Sequence, residues 1–187
     1  MIGWSGTSAS WLGFHTDEAL CASIEAQTQA QACTSVLALN EALRACGVSR
    51  LGLITPYRTD VQNAIVANYA NTGVSCVEAH LGIQDNFSFC EVTAAQIRDM
   101  AERLMAGPVS AQPEALTILC TNVRAAHLAV ELEAQYGVPV FDSVSTVVWK
   151  ALRLAGVETA SMQRRWGGLF ALPPHVAQAH PTADPAH

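Results

Sequence analysis

Apolar and polar positions along the chain alternate between two periods. Helical spacing predicts helices over residues 16–28 and 34–46, the second stopping at Gly47, a residue suited to a helix C-terminus. The short apolar run RLGLIT (50–55) predicts a buried strand. Helical spacing returns over 59–70, and 74–83 reads as a strand. A helix opened by Thr93 is expected within 92–106, then a loop, GPVSAQPE, over 107–114. A strand over 115–119, a helix over 123–136, the short strand PVF and a helix over 143–155 complete the series. Strands alternating with helices predict a parallel sheet covered on both faces, an α/β fold. The segment 173–187, PPHVAQAHPTADPAH, predicts a disordered tail whose three histidines do not make a convincing metal site.

One junction carries candidate chemistry. In TILCTNVRAAH (117–127) an apolar strand ends at Cys120, and Thr121 and Asn122 follow where a helix is expected to open. A helix N-terminus lowers a thiol's pKa, which makes Cys120 a candidate functional group. The other cysteines, Cys21, Cys33, Cys46, Cys76 and Cys90, are expected to pack as small hydrophobic residues.

The chain also echoes itself. ALRACGV (42–48) and ALRLAGV (151–157) agree at five of seven positions. Gly6-Thr7-Ser8 lies 36 residues before the first copy, and Cys120-Thr121-Asn122 lies 31 residues before the second. Duplicated α/β units with a ligand cleft between them are implied. Gly6 and Cys120 would then sit on opposite walls. Hydroxyls, an amide and backbone N–H groups around them suit a carboxylate or an enediolate, and a thiol among them can move a proton at the adjacent carbon.

Composition narrows the classes. The 187 residues are 50% hydrophobic and 14% charged, with a net charge of −6 and no basic cluster, so a nucleic-acid partner is not expected. No apolar run reaches the length of a membrane span, and the start lacks the pattern of a signal peptide. Scattered cysteines without a CxxC pair indicate neither zinc nor a disulfide framework, and a cytoplasmic location is expected.

The motifs GTSAS (6–10), TPYRTDV (55–61), LGIQDN (81–86), CTN (120–122) and VPVFDSVSTVVWKALRLAG (138–156) resemble, in order and spacing, the aspartate/glutamate racemase superfamily. The likeness falls in its branch of maleate cis-trans isomerases and arylmalonate decarboxylases and spans residues 1 to about 170. It implies two pseudo-symmetric Rossmann-like halves around a site that needs neither metal nor organic cofactor. Residues 1–47 with 154–172 would form the first half and 48–153 the second. The resemblance implies that Thr7, Ser8 and Tyr57 hold a substrate carboxylate. It implies that Asn86 holds a second one and that Cys120 moves the proton. Gly6, Thr121 and Asn122 complete the expected substrate-binding set. Gly6 stands where the isomerases and racemases carry a second cysteine, and there the chain is like the decarboxylases.

Relatives of this kind begin earlier, so a shortened member with an incomplete first half is expected, with exposed apolar surface and possible homo-oligomers. The expected activity is decarboxylation of a small arylmalonate-like or dicarboxylate substrate through an enediolate protonated by Cys120. The alternatives are a maleate isomerase or racemase, and an inactive module with a binding or assembly role. A cysteine hydrolase is disfavoured: His127 would lie two helical turns beyond Cys120, roughly 10 Å along the axis. His80 is a weaker candidate base.

Overall fold

The structure, a computed structural model, describes residues 1–173. The disordered tail expected over 173–187 lies outside it except for Pro173, whose carbonyl accepts a 3.0 Å hydrogen bond from Arg153. The chain runs β1 (Ile2–Trp4), α1 (Ala9–Leu12), α2 (His15–Thr28), β2 (Ala32–Thr34) and α3 (Ser35–Ala45). It continues through β3 (Arg50–Thr55), α4 (Thr59–Ala70), β4 (Ser75–His80), α5 (Ala94–Met105) and β5 (Ala115–Ile118). Then come α6 (Ala129–Tyr136), β6 (Val140–Asp142), α7 (Ser143–Leu154) and α8 (Gln163–Trp166).

All strand pairing is parallel, in a two-stranded sheet β1-β2 and a four-stranded sheet β4-β3-β5-β6. From Leu51 to Thr55, β3 is buried throughout, as is all of β5. Helices cover both faces of the sheet, so these strands read as apolar runs instead of alternating. Gly52 serves close packing: a Cβ there would collide with Leu116 on β5 and with Pro113.

Local capping sets the helix starts. Thr34 accepts from Leu37 N–H at 3.1 Å to open α3. Thr93 and Gln96 form a reciprocal capping box on α5, as the expected Thr93 start requires. Asp142 caps α7.

The echoed ALR strings lie on α3 and α7, which pack against one another. Thr146 Oγ1, in the first turns of α7, donates to the Ser35 carbonyl at 3.0 Å. Lys150 on α7 pairs with Glu41 on α3. Since α7 also packs on β1 and β2, it ties the small sheet to the large one.

The helix expected over 123–136 starts late. Residues 121–125 form tight turns, with Val123 N–H on the Cys120 carbonyl and Ala125 N–H on the Val123 carbonyl. A 3-10 turn over Ala126–Leu128 leads into α6. Cys120 is therefore followed by a turn and not by a helix N-terminus, and the helical spacing argued for His127 does not apply.

Candidate active site

The strand ends supply the site. Tyr57 follows β3 and Cys120 follows β5, neighbouring strands of the large sheet. Thr7 follows β1 of the small sheet. All three are buried, with exposures of 6% for Thr7, 6% for Tyr57 and 3% for Cys120.

A cavity of about 320 Å³ opens between them. Thr7, Tyr57, Cys120, Thr121, Asn122 and Asn86 line it, as do Trp11, Val61 and Phe89. Six of the eight expected site residues thus meet at one cavity. Gly6 and Ser8 do not line it. The direction a Gly6 side chain would take is filled by the Trp4 indole, with Nε1 2.5 Å from an ideal Cβ. Ser8 starts α1 and gives its carbonyl to Trp11 and Leu12 N–H groups. His80 Nε2 lies 3.2 Å from the Thr59 hydroxyl, and neither His80 nor His127 reaches the cavity wall.

Hydrogen bonds order the polar side. The Tyr57 hydroxyl lies 2.8 Å from Thr7 Oγ1 and is close enough to the Cys120 sulfur to favour its thiolate. Tyr57 has one proton, so when it donates to a thiolate, Thr7 must donate to Tyr57. The result is a relay, Thr7 to Tyr57 to sulfur. Burial pushes the Tyr57 hydroxyl above the usual tyrosine range, which keeps it a donor at neutral pH. Edge-to-face contacts with Trp11 at 5.3 Å and Phe89 at 5.4 Å clamp its ring.

Opposing forces act on Cys120. Burial pushes its thiol up, and Asp142 adds to that. The Tyr57 hydroxyl and the N–H groups of Asn122 and Val123 pull it down. The net direction is upward, so the sulfur rests as a thiol whose conjugate base has three donors waiting.

Of the six cysteines, all unpaired, only Cys120 lines the cavity. Burial raises Cys33 to about 11 and Cys76 to about 12, in keeping with packing roles. Cys90 departs from that expectation: it is exposed on a 3-10 turn over Asn86–Glu91, its thiol on the Phe87 carbonyl. The same turn brings Asn86 to the cavity, and Asn122 Nδ2 donates to the Asn86 carbonyl at 3.3 Å across its edge.

Trp11, Val61 and Phe89 were not legible as site residues. Trp11 lies one helical turn beyond Thr7, and this spacing is the one local hint. Among the described residues no His, Cys, Asp and Glu cluster fits a metal ion, and no helix is long and apolar enough to cross a membrane.

Parallel α/β sheets with a hydroxyl-lined cavity and a thiol at their strand ends define an enzyme of the aspartate/glutamate racemase superfamily. Within it, the chain belongs to the arylmalonate decarboxylase family, whose model matches residues 1–166. The arylmalonate decarboxylase of Bordetella bronchiseptica is 30% identical over 173 residues, covering 91% of this chain and 70% of the relative. The structure of unliganded arylmalonate decarboxylase is similar with a TM-score of 0.71 at 28% identity, covering 83% of this chain and 68% of that one. The maleate cis-trans isomerase of Nocardia farcinica bound to TRIS shares the fold, with a TM-score of 0.77 at 24% identity over 90% of this chain and 70% of that one.

Proposed function

We propose that the protein decarboxylates a small malonate-type diacid bearing an apolar, aryl-sized substituent. The observation that carries this reading is the single buried thiol at the Thr7–Tyr57–Cys120 relay. Breakage of the bond between the α-carbon and one carboxylate releases CO₂ and leaves its electron pair as an enediolate. Cys120 gives its proton to the α-carbon. The resulting thiolate is held by the Tyr57 hydroxyl and the N–H groups of Asn122 and Val123, and solvent returns the proton.

A thiol held protonated suits this acid step better than nucleophilic attack, which needs the thiolate. Trp11, Val61 and Phe89 suit the apolar substituent. Thr121 offers a hydroxyl to the carboxylate that remains, and Tyr57 can offer its own while Cys120 is still the thiol. Six unpaired thiols fit a reducing, cytoplasmic setting. The polar wall at Asn86 and Asn122 favours a second reading, isomerisation of a dicarboxylate such as maleate.

The test is turnover of phenylmalonate in D₂O by the wild type and Cys120→Ser. The wild type is expected to release CO₂ and place one deuterium on the α-carbon, and the variant to lose about a hundredfold or more. An unchanged rate in Cys120→Ser would overturn the assignment. Conversion of maleate to fumarate without decarboxylation of phenylmalonate would favour the second reading.

A further inference from the structure

Asp142 ends β6 and is fully buried. It caps α7 through one oxygen: Oδ1 accepts from Val144 N–H and Ser145 N–H, both at 2.9 Å. Its Oδ2 is buried without a hydrogen-bond partner. Serine, threonine or asparagine caps a helix comparably well and brings no charge. A buried carboxylate with an unpaired oxygen is costly, so the cap alone does not account for a charged residue here.

The sheet register shows where that charge is felt. Asp142 pairs with Ile118, the last residue of β5, and Cys120 follows two residues later, just past the strand end. Both residues are buried at the same end of neighbouring strands, so the Asp142 charge reaches the sulfur through a water-poor interior. We propose that Asp142 is a positioning residue, a fixed negative charge set beside Cys120 to hold its sulfur as the proton-bearing thiol. The proposal rests on the reading of Cys120 as the proton donor. Burial is the main cause that keeps the proton on the sulfur, and Asp142 adds to it: nearby donors stabilise the thiolate once formed, while the fixed charge opposes its forming at rest.

Other charges near the pair are accounted for. His127, on the turn before α6, faces Asp142 and favours its ionised form. Glu133 on α6 is engaged by Val140 and Gly168 N–H groups. Lys150 and Arg153 on α7 are held by Glu41 and by the Leu172 and Pro173 carbonyls. Arg164 and Arg165 on α8 are exposed. Burial pushes Asp142 up to about 6, so it is charged near neutrality and uncharged in mild acid.

The experiment follows iodoacetamide alkylation of Cys120 by mass spectrometry against pH, with exposed Cys90 as the reagent control. Asp142→Asn and Asp142→Ser both retain a capping oxygen. Each is expected to lower the midpoint of the Cys120 titration, and a fall of one pH unit gives about threefold faster alkylation well below the midpoint. An unchanged midpoint in either folded variant would overturn the proposal, because a purely capping residue predicts no change.

The wild type supplies a measurement independent of variant folding. As pH rises through about 6, ionisation of Asp142 opposes that of Cys120, so the logarithm of the rate should climb by less than one per pH unit. His127 is the ionisable side chain that acts on Asp142, so His127→Gln is measured alongside. A slope of one throughout in the wild type, or a shallow slope abolished by His127→Gln, would also overturn it. Failure of Cys120 as the decarboxylation acid would appear in the turnover of Cys120→Ser and not in these profiles.

Discussion

The two sheets contribute opposite walls to one cavity but are held very differently. In the large sheet, Leu51, Leu53 and Leu116 are wholly buried, and Tyr57 and Cys120 extend directly from these strands. In the small sheet, Ile2 is 39% exposed and Trp4 48% exposed, and all three residues of β1 are exposed. Thr7 and Trp11 depend on lateral supports: the Tyr57 hydroxyl, the Ser10 hydroxyl on the Thr7 carbonyl at 2.6 Å, and Asn68 Nδ2 on the Ser10 carbonyl at 2.9 Å. The Cys120 thiol thus sits on the wall fixed by the core. The opposite wall is fixed mainly by polar contacts reaching across to it. Groups that move a proton need tight placement, and the core supplies it.

The largest test of this contrast is stability. Leu53→Ala opens a cavity among buried neighbours in the large sheet and is expected to cost about 2–5 kcal/mol. Trp4→Ala removes a half-exposed indole from the small sheet and should stay within about 0.5 kcal/mol. Urea unfolding of both variants checks the pair, and equal losses would break the comparison.

The next effect is on rate. Tyr57→Phe keeps the ring between Trp11 and Phe89 but removes the hydroxyl that joins the two walls. It is expected to lower turnover about a hundredfold while leaving the midpoint of urea unfolding close to the wild type. Thr7→Val cuts the same relay from the small-sheet side and should cost less, since Tyr57 retains its proton for the sulfur. Parallel steady-state kinetics on phenylmalonate would show whether the order is reversed.

The same division governs what the sequence made legible. β3 and α4 fall at the expected bounds because a buried apolar run and a full helical period each encode one answer. β2, three residues long, carries no period, and its Thr34 doubles as the cap of α3. The turn over 121–125 runs into the expected helix start at 123 because its composition permits helix, while its Val123 and Ala125 N–H groups go to the Cys120 and Val123 carbonyls. Tyr57, Asn86 and Cys120 stood out through their motifs. Trp11, Val61 and Phe89 come from separate segments, and only folding brings them to one cavity. Asp142 reads locally as an ordinary cap, and its burial beside Cys120 depends on the pairing of β5 with β6.

The smallest expected effect concerns Gly6, which sequence symmetry places opposite Cys120. The side-chain direction at Gly6 runs into the Trp4 indole before it reaches the cavity. Trp4 is half exposed, so the indole can swing outward, and Gly6→Cys should cost below about 1 kcal/mol. Its thiol would then compete with the indole for the space and would not stand free against the substrate. The single variant is therefore expected to show little deuterium exchange at the α-carbon of a 2-arylpropionate. Trp4→Ala combined with Gly6→Cys clears the path and should raise that exchange. Strong exchange in the single variant would mean that the small-sheet wall yields even more readily than its exposure implies. No exchange in the double variant would mean that Gly6 does not face the substrate carbon, and that the sequence echo reflects helix packing between α3 and α7 alone.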